Sequence, residues 1–172
     1  MTRANKMPVA ALVIALSGIA AYEGYTSYAT QPVPGDPWTI GHGTTVYADG
    51  TPVKQGDVIT PKRALEELQY HAEEKAKEFE RSIPDVPLSQ DEYDVYLDFV
   101  YNFGITNWRK SSMRRYLLAG EYVEACESLL MWRNVRGADC SKPENWYGRG
   151  QDCRGVWLRQ QERHFKCMAA NE

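Results

Sequence analysis

Two acidic side chains and a threonine lie close enough in the sequence to perform acid–base chemistry together. Glu23 directly follows an apolar run, and Asp36 and Thr39 come within the next sixteen residues. Apolar neighbours favour the protonated form of a carboxyl group, whereas a carboxylate in a polar turn keeps its charge. Hydrolysis of a glycosidic bond needs this pair, because one group protonates the leaving oxygen and the other activates water.

The segment that carries these residues is also rich in glycine. Gly24, Gly35, Gly41 and Gly43 allow tight turns and a close approach of the backbone to a ligand. A single glutamate after an apolar helix is otherwise typical of a solvated helix end. The glycines and the two neighbouring polar residues favour a site over that simpler interpretation.

An apolar segment, residues 7–22, precedes Glu23 and follows the basic residues Arg3 and Lys6, as in an export signal. As a helix it would reach about 24 Å, less than the roughly 30 Å of a hydrocarbon core. Three interpretations are open: a cleaved signal peptide, a permanent anchor, and a weak anchor that leaves the bilayer and packs against the folded domain. Marginal hydrophobicity argues against the permanent anchor and leaves the other two interpretations open.

Size and charge restrict the class of protein. A chain of 172 residues corresponds to one domain, and its net charge is -3. Charged residues are spread along the chain without a basic block, which argues against a nucleic-acid partner.

Four cysteines lie in the last third of the chain: Cys126, Cys140, Cys153 and Cys167. An even number at wide spacing favours disulfides, in agreement with export. Of the three possible connectivities, the nested pairing of 126 with 167 and 140 with 153 is the most economical, and the sequence leaves the other two open. His164 and Cys167 could share a zinc ion, but no further ligands accompany them, so we expect no metal.

The remaining pattern predicts a short sheet followed by helices. Alternation over residues 44–60, around Asp49 and Gly50, indicates a hairpin. Thr60 is a suitable N-cap for a long amphipathic helix. A capping box over residues 89–92 begins a second helix, which ends at Gly104.

Three shorter helices are predicted in the last third of the chain. They cover residues 111–120, 121–132 and 156–167. A polar loop, residues 133–153, separates the last two.

Three stretches, residues 22–45, 93–132 and 154–167, together resemble phage-type endolysins of glycoside hydrolase family 24. Within that family they resemble the exported endolysins with a signal-arrest-release N-terminus. The Glu-Gly opening, the Trp-Thr-Ile-Gly-His-Gly element and the Tyr-Asn-Phe-Gly helix end occur in the family's order. The resemblance implies a mostly helical α+β, lysozyme-like two-lobe fold: a small N-terminal β-sheet, a long connecting helix, a helical C-terminal lobe, and a cleft between the lobes.

The same resemblance assigns roles to the candidate residues. The family's proton-donating glutamate falls on Glu23 and its active-site threonine on Thr39. The family's aspartate lies nine residues after the glutamate and six before the threonine, where this chain has Pro32 and Val33. Either the turn presents Asp36 instead, which we favour, or the enzyme works without a strict counterpart.

Four residues near these motifs are candidates for substrate binding: Tyr28, Trp38, His42 and Asn102. The two aromatic rings could stack on sugars. Asn102 could bind a sugar or cap its own helix. His42 is interpreted as a structural or cleft-lining residue beside the threonine rather than as a base.

The function implied is hydrolysis of the β-1,4 bond between N-acetylmuramic acid and N-acetylglucosamine in peptidoglycan, with inversion and without metal or cofactor. Residues 1–22 would be a signal-anchor and residues 23–172 the catalytic domain. The chain would be a monomer exported to the host periplasm, tethered to the inner membrane and active after release. Two alternatives are a membrane-tethered cell-wall binding module without catalysis, and a soluble secreted lysozyme with a cleaved signal peptide.

Overall fold

The computed structural model describes residues 3–4, 24–31, 33–147 and 153–172. Helices predominate and are accompanied by two small antiparallel sheets, so the predicted mostly helical α+β class is confirmed. The chain forms two compact units. We call them the N-terminal unit, Met7–Glu80, and the C-terminal unit, Met1–Lys6 with Arg81–Glu172.

The N-terminal unit contains strands β1 (Thr26–Thr30) and β2 (Thr39–Gly41) and most of helix α1 (Pro61–Ser82). The two strands are antiparallel, and their register shifts between the first pair and the last. The other edge of β1 bonds to residues 57–59 through two backbone hydrogen bonds of 3.0 Å. Strand β1 is therefore held on both sides.

A small apolar core lies under this sheet. Its buried members are Ile40, Val53, Ile59 and Ala64. Helix α1 begins as predicted, since the Thr60 hydroxyl accepts a hydrogen bond from the Arg63 amide at 3.3 Å.

The hairpin predicted over residues 44–60 is present in a short form around Asp49 and Gly50. Tyr47 accepts a hydrogen bond from the Gly50 amide at 2.9 Å, and one isolated bridge joins Val46 to Pro52. The Tyr47 amide donates to the Thr51 carbonyl at 2.8 Å and the Val53 amide donates to the Thr45 carbonyl at 2.9 Å, so Pro52 lies at a position of the ladder that needs no N–H. The regular sheet lies earlier in the chain, where β1 occupies part of a segment that the sequence marked only as rich in glycine and proline.

The C-terminal unit contains five α-helices in the part of the chain that the structure describes. They are α2 (Gln90–Phe103), α3 (Ile105–Lys110), α4 (Ser112–Leu118), α5 (Tyr122–Glu127) and α6 (Cys153–Ala169). Two 3₁₀ turns, Ser128–Met131 and Pro143–Asn145, and the strand pair β3 (Asn134–Val135) and β4 (Ala138–Asp139) complete it.

The capping box predicted at the start of α2 is confirmed. The Ser89 hydroxyl accepts from the Glu92 amide, and the Glu92 carboxylate accepts from the Ser89 amide at 2.8 Å. The helix ends before Gly104, whose φ of 82° is a conformation that favours glycine.

The later elements differ from the prediction in detail. The helix predicted over residues 121–132 changes to a 3₁₀ turn at Ser128, whose hydroxyl donates to the Glu124 carbonyl at 2.9 Å. The last helix begins at Cys153, three residues before its predicted start. The predicted loop contains β3 and β4, joined by Arg136 and Gly137, which both have positive φ, as a two-residue hairpin turn requires.

Aromatic and sulfur-containing side chains form the core of this unit. Tyr96, Phe99 and Trp108 are fully buried, and the Trp108 indole donates to the Ser82 hydroxyl at 2.7 Å. The disulfides have the nested pairing, Cys126 with Cys167 and Cys140 with Cys153. Both bridges are buried, and the longer one closes a loop with a sequence separation of 41.

Residues 7–22, the predicted anchor, lie outside the described residues. Among the residues that are described, no helix is both long enough and apolar enough to cross a membrane.

A half-buried carboxyl on α2 makes stability depend on pH. Burial raises the pKa of Asp94 to about 6, against a hydrogen bond from the Gln90 amide at 2.6 Å. The folded state therefore binds this proton more tightly than the unfolded state, whose carboxyl has a pKa near 3.8. Ionisation of Asp94 thus lowers the free energy of unfolding as the pH rises from about 4 to about 6.

Replacing this group by a neutral isostere should remove that loss. For Asp94→Asn we expect an increase of about 1 kcal/mol in the free energy of unfolding at pH 7, because solvent screens part of the effect at a half-buried side chain. At pH 4 we expect no increase. Urea denaturation at pH 4 and pH 7 measures the free energy of unfolding of both proteins. An equal increase at the two pH values would show that the effect does not come from ionisation of Asp94.

Candidate active site

The peptide after Glu23 is bonded to the turn that follows β2. Glu23 itself lies outside the described residues, and Gly24 is the first residue described after it. The His42 Nδ1 atom lies 2.5 Å from the Gly24 carbonyl oxygen. A carbonyl oxygen can only accept, so the hydrogen is on Nδ1. This bond connects the segment that carries Glu23 with the segment that carries Thr39.

Thr39 lies on β2, next to the apolar core. Ile40 is fully buried, and successive side chains on a strand point to opposite faces, so Thr39 faces away from that core. Its hydroxyl donates to the Pro37 carbonyl at 3.3 Å, and its own carbonyl accepts from the Thr30 hydroxyl at 3.5 Å. The backbone on either side of Thr39 is thus fixed, while its side chain is only half-buried.

Gly41 allows the chain to turn immediately after β2. Its φ is 64°, and a Cβ atom at this position would lie 3.0 Å from the Ala64 Cβ atom of α1. The positive φ and the close approach both favour glycine here. The turn directs His42 back toward Gly24.

Asp36 lies on the loop that connects β1 to β2. A turn closes here with a hydrogen bond of 3.0 Å from the Asp36 amide to the Val33 carbonyl, and Gly35 has a φ of 96°. The Gln31 amide donates to the Asp36 carbonyl at 2.5 Å, which fixes the backbone. The Asp36 side chain is exposed, and its carboxylate has no hydrogen-bond donor within the described ranges.

The two aromatic candidates differ in their surroundings. Tyr28, on β1, is 67% exposed, which leaves its ring available for stacking. Trp38 is partly buried and packs against the apolar core of the N-terminal unit. Tyr25 was not among the predicted residues, although its ring centroid lies 5.7 Å from that of His42 and its hydroxyl donates to the Ile59 carbonyl at 2.9 Å.

Asn102 belongs to the C-terminal unit, and its amide is used within its own helix. The Asn102 Nδ2 atom donates to the Asp98 carbonyl at 2.8 Å and to the Asp98 carboxylate at 2.9 Å. Arg163 in turn donates to the same carboxylate at 2.6 Å. Of the two roles predicted for Asn102, these contacts agree with the local one.

Comparison with known proteins identifies the family. A family model described as phage lysozyme matches residues 20–159. The chain belongs to the phage lysozyme family. The SAR-endolysin of Pseudomonas phage phiKMV is 34% identical over 129 residues, which cover 73% of this chain and 74% of that protein. The SAR-endolysin of Escherichia phage N15 is 31% identical over 140 residues, which cover 78% and 74%.

Solved structures agree with this assignment at the level of fold. The endolysin from Escherichia coli O157:H7 phage FAHEc1 has a TM-score of 0.70 at 24% identity, covering 97% of this chain and 96% of that chain. A mutant of P22 lysozyme has a TM-score of 0.68 at 22% identity, covering 90% and 95%. The predicted lysozyme-like fold is confirmed.

Family membership also determines the class of reaction. As a phage lysozyme, the chain is a glycoside hydrolase, an endolysin that hydrolyses peptidoglycan. The predictions of family and enzyme class from sequence are confirmed. The roles of Glu23, Asp36 and Thr39 stay predictions.

The bond between His42 and Gly24 can be tested by a substitution that keeps the donor. Asparagine places an N–H close to the Nδ1 position, whereas leucine has none. One hydrogen bond is worth about 1 kcal/mol, so we expect His42→Leu to lower the rate of peptidoglycan hydrolysis about fivefold to tenfold. His42→Asn should stay within about twofold of the wild type. Equal losses in the two variants would show that the imidazole ring matters and the bond does not.

Proposed function

We propose that the chain cleaves the β-1,4 bond between N-acetylmuramic acid and N-acetylglucosamine with Glu23, Asp36 and Thr39. One observation supports this proposal. Asp36 and Thr39 lie on one hairpin, formed by β1 and β2, and His42, in the turn after β2, is hydrogen-bonded to the carbonyl of Gly24, the residue after Glu23. Three groups that are separate in sequence are thereby linked through one small sheet. Such fixed positions are what a reaction between two carboxyl groups and a sugar requires.

Each of the three residues has a distinct role in the proposed reaction. Glu23 is the general acid, which protonates the oxygen of the leaving sugar. Asp36 is the ionised carboxylate, which activates water on the opposite face of the ring. Thr39 holds that water through its hydroxyl. Inversion places the two carboxyl groups about 6.5 to 9.5 Å apart, with room for the water between them.

The exposure of Asp36 supports its role as the ionised partner. Its carboxylate lies in solvent, and its backbone N–H and carbonyl are bonded to Val33 and Gln31 on the β1 side of the loop. A solvent-exposed carboxylate on a fixed backbone is accessible to both water and substrate. Tyr28 and Trp38 flank this loop in sequence, and we propose that Tyr28 stacks on a sugar ring.

We further propose that residues 1–22 are a signal-anchor and that residues 23–172 are the catalytic domain. Two relatives bear the name SAR-endolysin, which supports this assignment. The chain would reach the host periplasm, remain tethered to the inner membrane as a monomer, and become active when the N-terminal helix leaves the bilayer. Glu23 immediately follows the anchor, so a tethered chain would hold its general acid at the membrane surface.

The membrane potential would keep the anchor in place. Release carries Arg3 and Lys6 from the negative cytoplasmic side to the outside, at a cost of about 2.3 kcal/mol for each charge at 100 mV. Loss of the potential removes this cost. A segment of marginal hydrophobicity would then leave the bilayer.

Clearing of turbidity in permeabilised Gram-negative cells tests the catalytic assignment. General acid catalysis contributes about 10² to 10⁴ in rate, so Glu23→Gln should abolish lysis. We expect Asp36→Asn to lower the rate at least about 100-fold, and Thr39→Ala to lower it about tenfold because water is held less well. The control is Glu66→Gln, which neutralises an exposed carboxylate of α1 and should retain the full rate.

Two results would overturn separate parts of the assignment. Full lysis by Glu23→Gln would favour a cell-wall binding module without catalysis. A full rate for Asp36→Asn would show that another group is the second carboxylate.

A further inference from the structure

A buried carboxylate at the start of α2 is bonded to the N-terminus of the chain. The Glu92 side chain has no exposed surface. Arg3 donates to it through Nε at 3.0 Å and through a terminal nitrogen at 2.9 Å, which is the two-pronged geometry of the strongest ion pairs. Two further groups donate to the Glu92 carboxylate: the Ser89 backbone N–H at 2.8 Å and the Asn171 side-chain Nδ2 at 3.1 Å.

Arg3 is held by more than this ion pair. Its terminal nitrogen also donates to the Asn171 side-chain oxygen at 2.6 Å, and its guanidinium carbon lies 3.8 Å from the centre of the Tyr122 ring. The next residue, Ala4, exchanges two backbone hydrogen bonds with Leu88, at 2.8 and 3.0 Å. The backbone and the side chain of the N-terminal segment are thus both bound.

Both members of the pair are charged at neutral pH. Burial alone would raise the pKa of Glu92, but the hydrogen bonds from Arg3 and from the Ser89 backbone place it below the ordinary value. The hydrogen bond to Glu92 raises the pKa of Arg3. A buried carboxylate that loses such a cation is left without compensation, which is strongly unfavourable.

This contact is incompatible with a tethered chain. Arg3 precedes the apolar segment, and Glu92 follows it. If residues 7–22 cross the membrane, Arg3 lies on the cytoplasmic side and Glu92 on the periplasmic side, with about 30 Å of hydrocarbon between them. Glu92 can meet Arg3 only after the segment has left the bilayer.

We propose that Leu88, Glu92, Tyr122 and Asn171 form a docking site for the chain's own N-terminus, which is filled only in the released form. The proposal rests on the release mechanism above and adds what holds the released state. Docked Arg3 opposes the return of the segment to the membrane. The same residue favours the tethered orientation beforehand, because basic residues stay on the cytoplasmic side.

The two roles of Arg3 can be separated by substitution with lysine. Lysine keeps the positive charge that sets orientation, but it lacks the planar fork that binds both carboxylate oxygens. The matched control is Lys6→Arg, which exchanges the same two residue types in the same segment and keeps Arg3. Glu92→Gln removes the charge of the docking site and retains a capping box, since glutamine serves at this position.

The experiment measures the ratio of released to membrane-bound full-length chain after an ionophore collapses the potential. We expect Arg3→Lys to lower this ratio about tenfold, Glu92→Gln to lower it at least as much, and Lys6→Arg to leave it unchanged. The double variant Arg3→Lys with Glu92→Gln should be within about twofold of Glu92→Gln alone, because the two residues act as a pair. Additive losses, or no loss in Arg3→Lys, would overturn the docking site.

Two further readouts distinguish failure of this proposal from failure of the release mechanism. Amide hydrogen exchange at Ala4 and Leu88 should be at least tenfold faster in Arg3→Lys than in the wild-type released chain, and unchanged exchange would overturn the docking site. The intact mass of the released chain should include residues 1–22. A mass that lacks them would overturn the release mechanism, and with it the role of Arg3.

Discussion

A carboxylate without access to water must receive its hydrogen bonds from the protein, and each unit of this chain contains one. In the C-terminal unit, Glu92 collects donors from the N-terminus, from the residue before α2 and from Asn171 near the end of the chain. In the N-terminal unit, Glu67 of α1 is buried, accepts from the Ala48 amide at 2.7 Å and pairs with Arg63. Because an unpaired buried charge is so costly, each carboxylate favours the conformation in which the segments that supply its donors are bound.

The candidate site depends on a second constraint, the tight path of the backbone around β2. Gly41 turns the chain against Ala64, and the following histidine bonds to Gly24, directly after the proposed general acid. Asp36 is presented on the loop between the strands, at a position that differs from the family pattern. A short sheet with a small core therefore holds Asp36, Thr39 and the residue after Glu23 within one unit.

Local patterns in the sequence predicted what local physics determines. The capping box at Ser89 and the N-cap at Thr60 were predicted correctly, because each depends on residues within one helical turn. The hairpin predicted over residues 44–60 forms around Asp49 and Gly50 in a short form, with one isolated bridge between Val46 and Pro52. Contacts between residues that are distant in the sequence cannot be predicted from a local sequence pattern. Arg3 was interpreted as part of an export signal and Glu92 as a capping residue, and their ion pair joins positions separated by 89 residues.

We propose that departure of the N-terminal segment from the membrane completes the active site. The most direct test of this proposal compares peptidoglycan hydrolysis by the same amount of full-length chain in energised cells and after collapse of the membrane potential. We expect no hydrolysis while the chain is tethered, and hydrolysis that begins as the released form accumulates. Equal rates of hydrolysis by the tethered and released forms would contradict it.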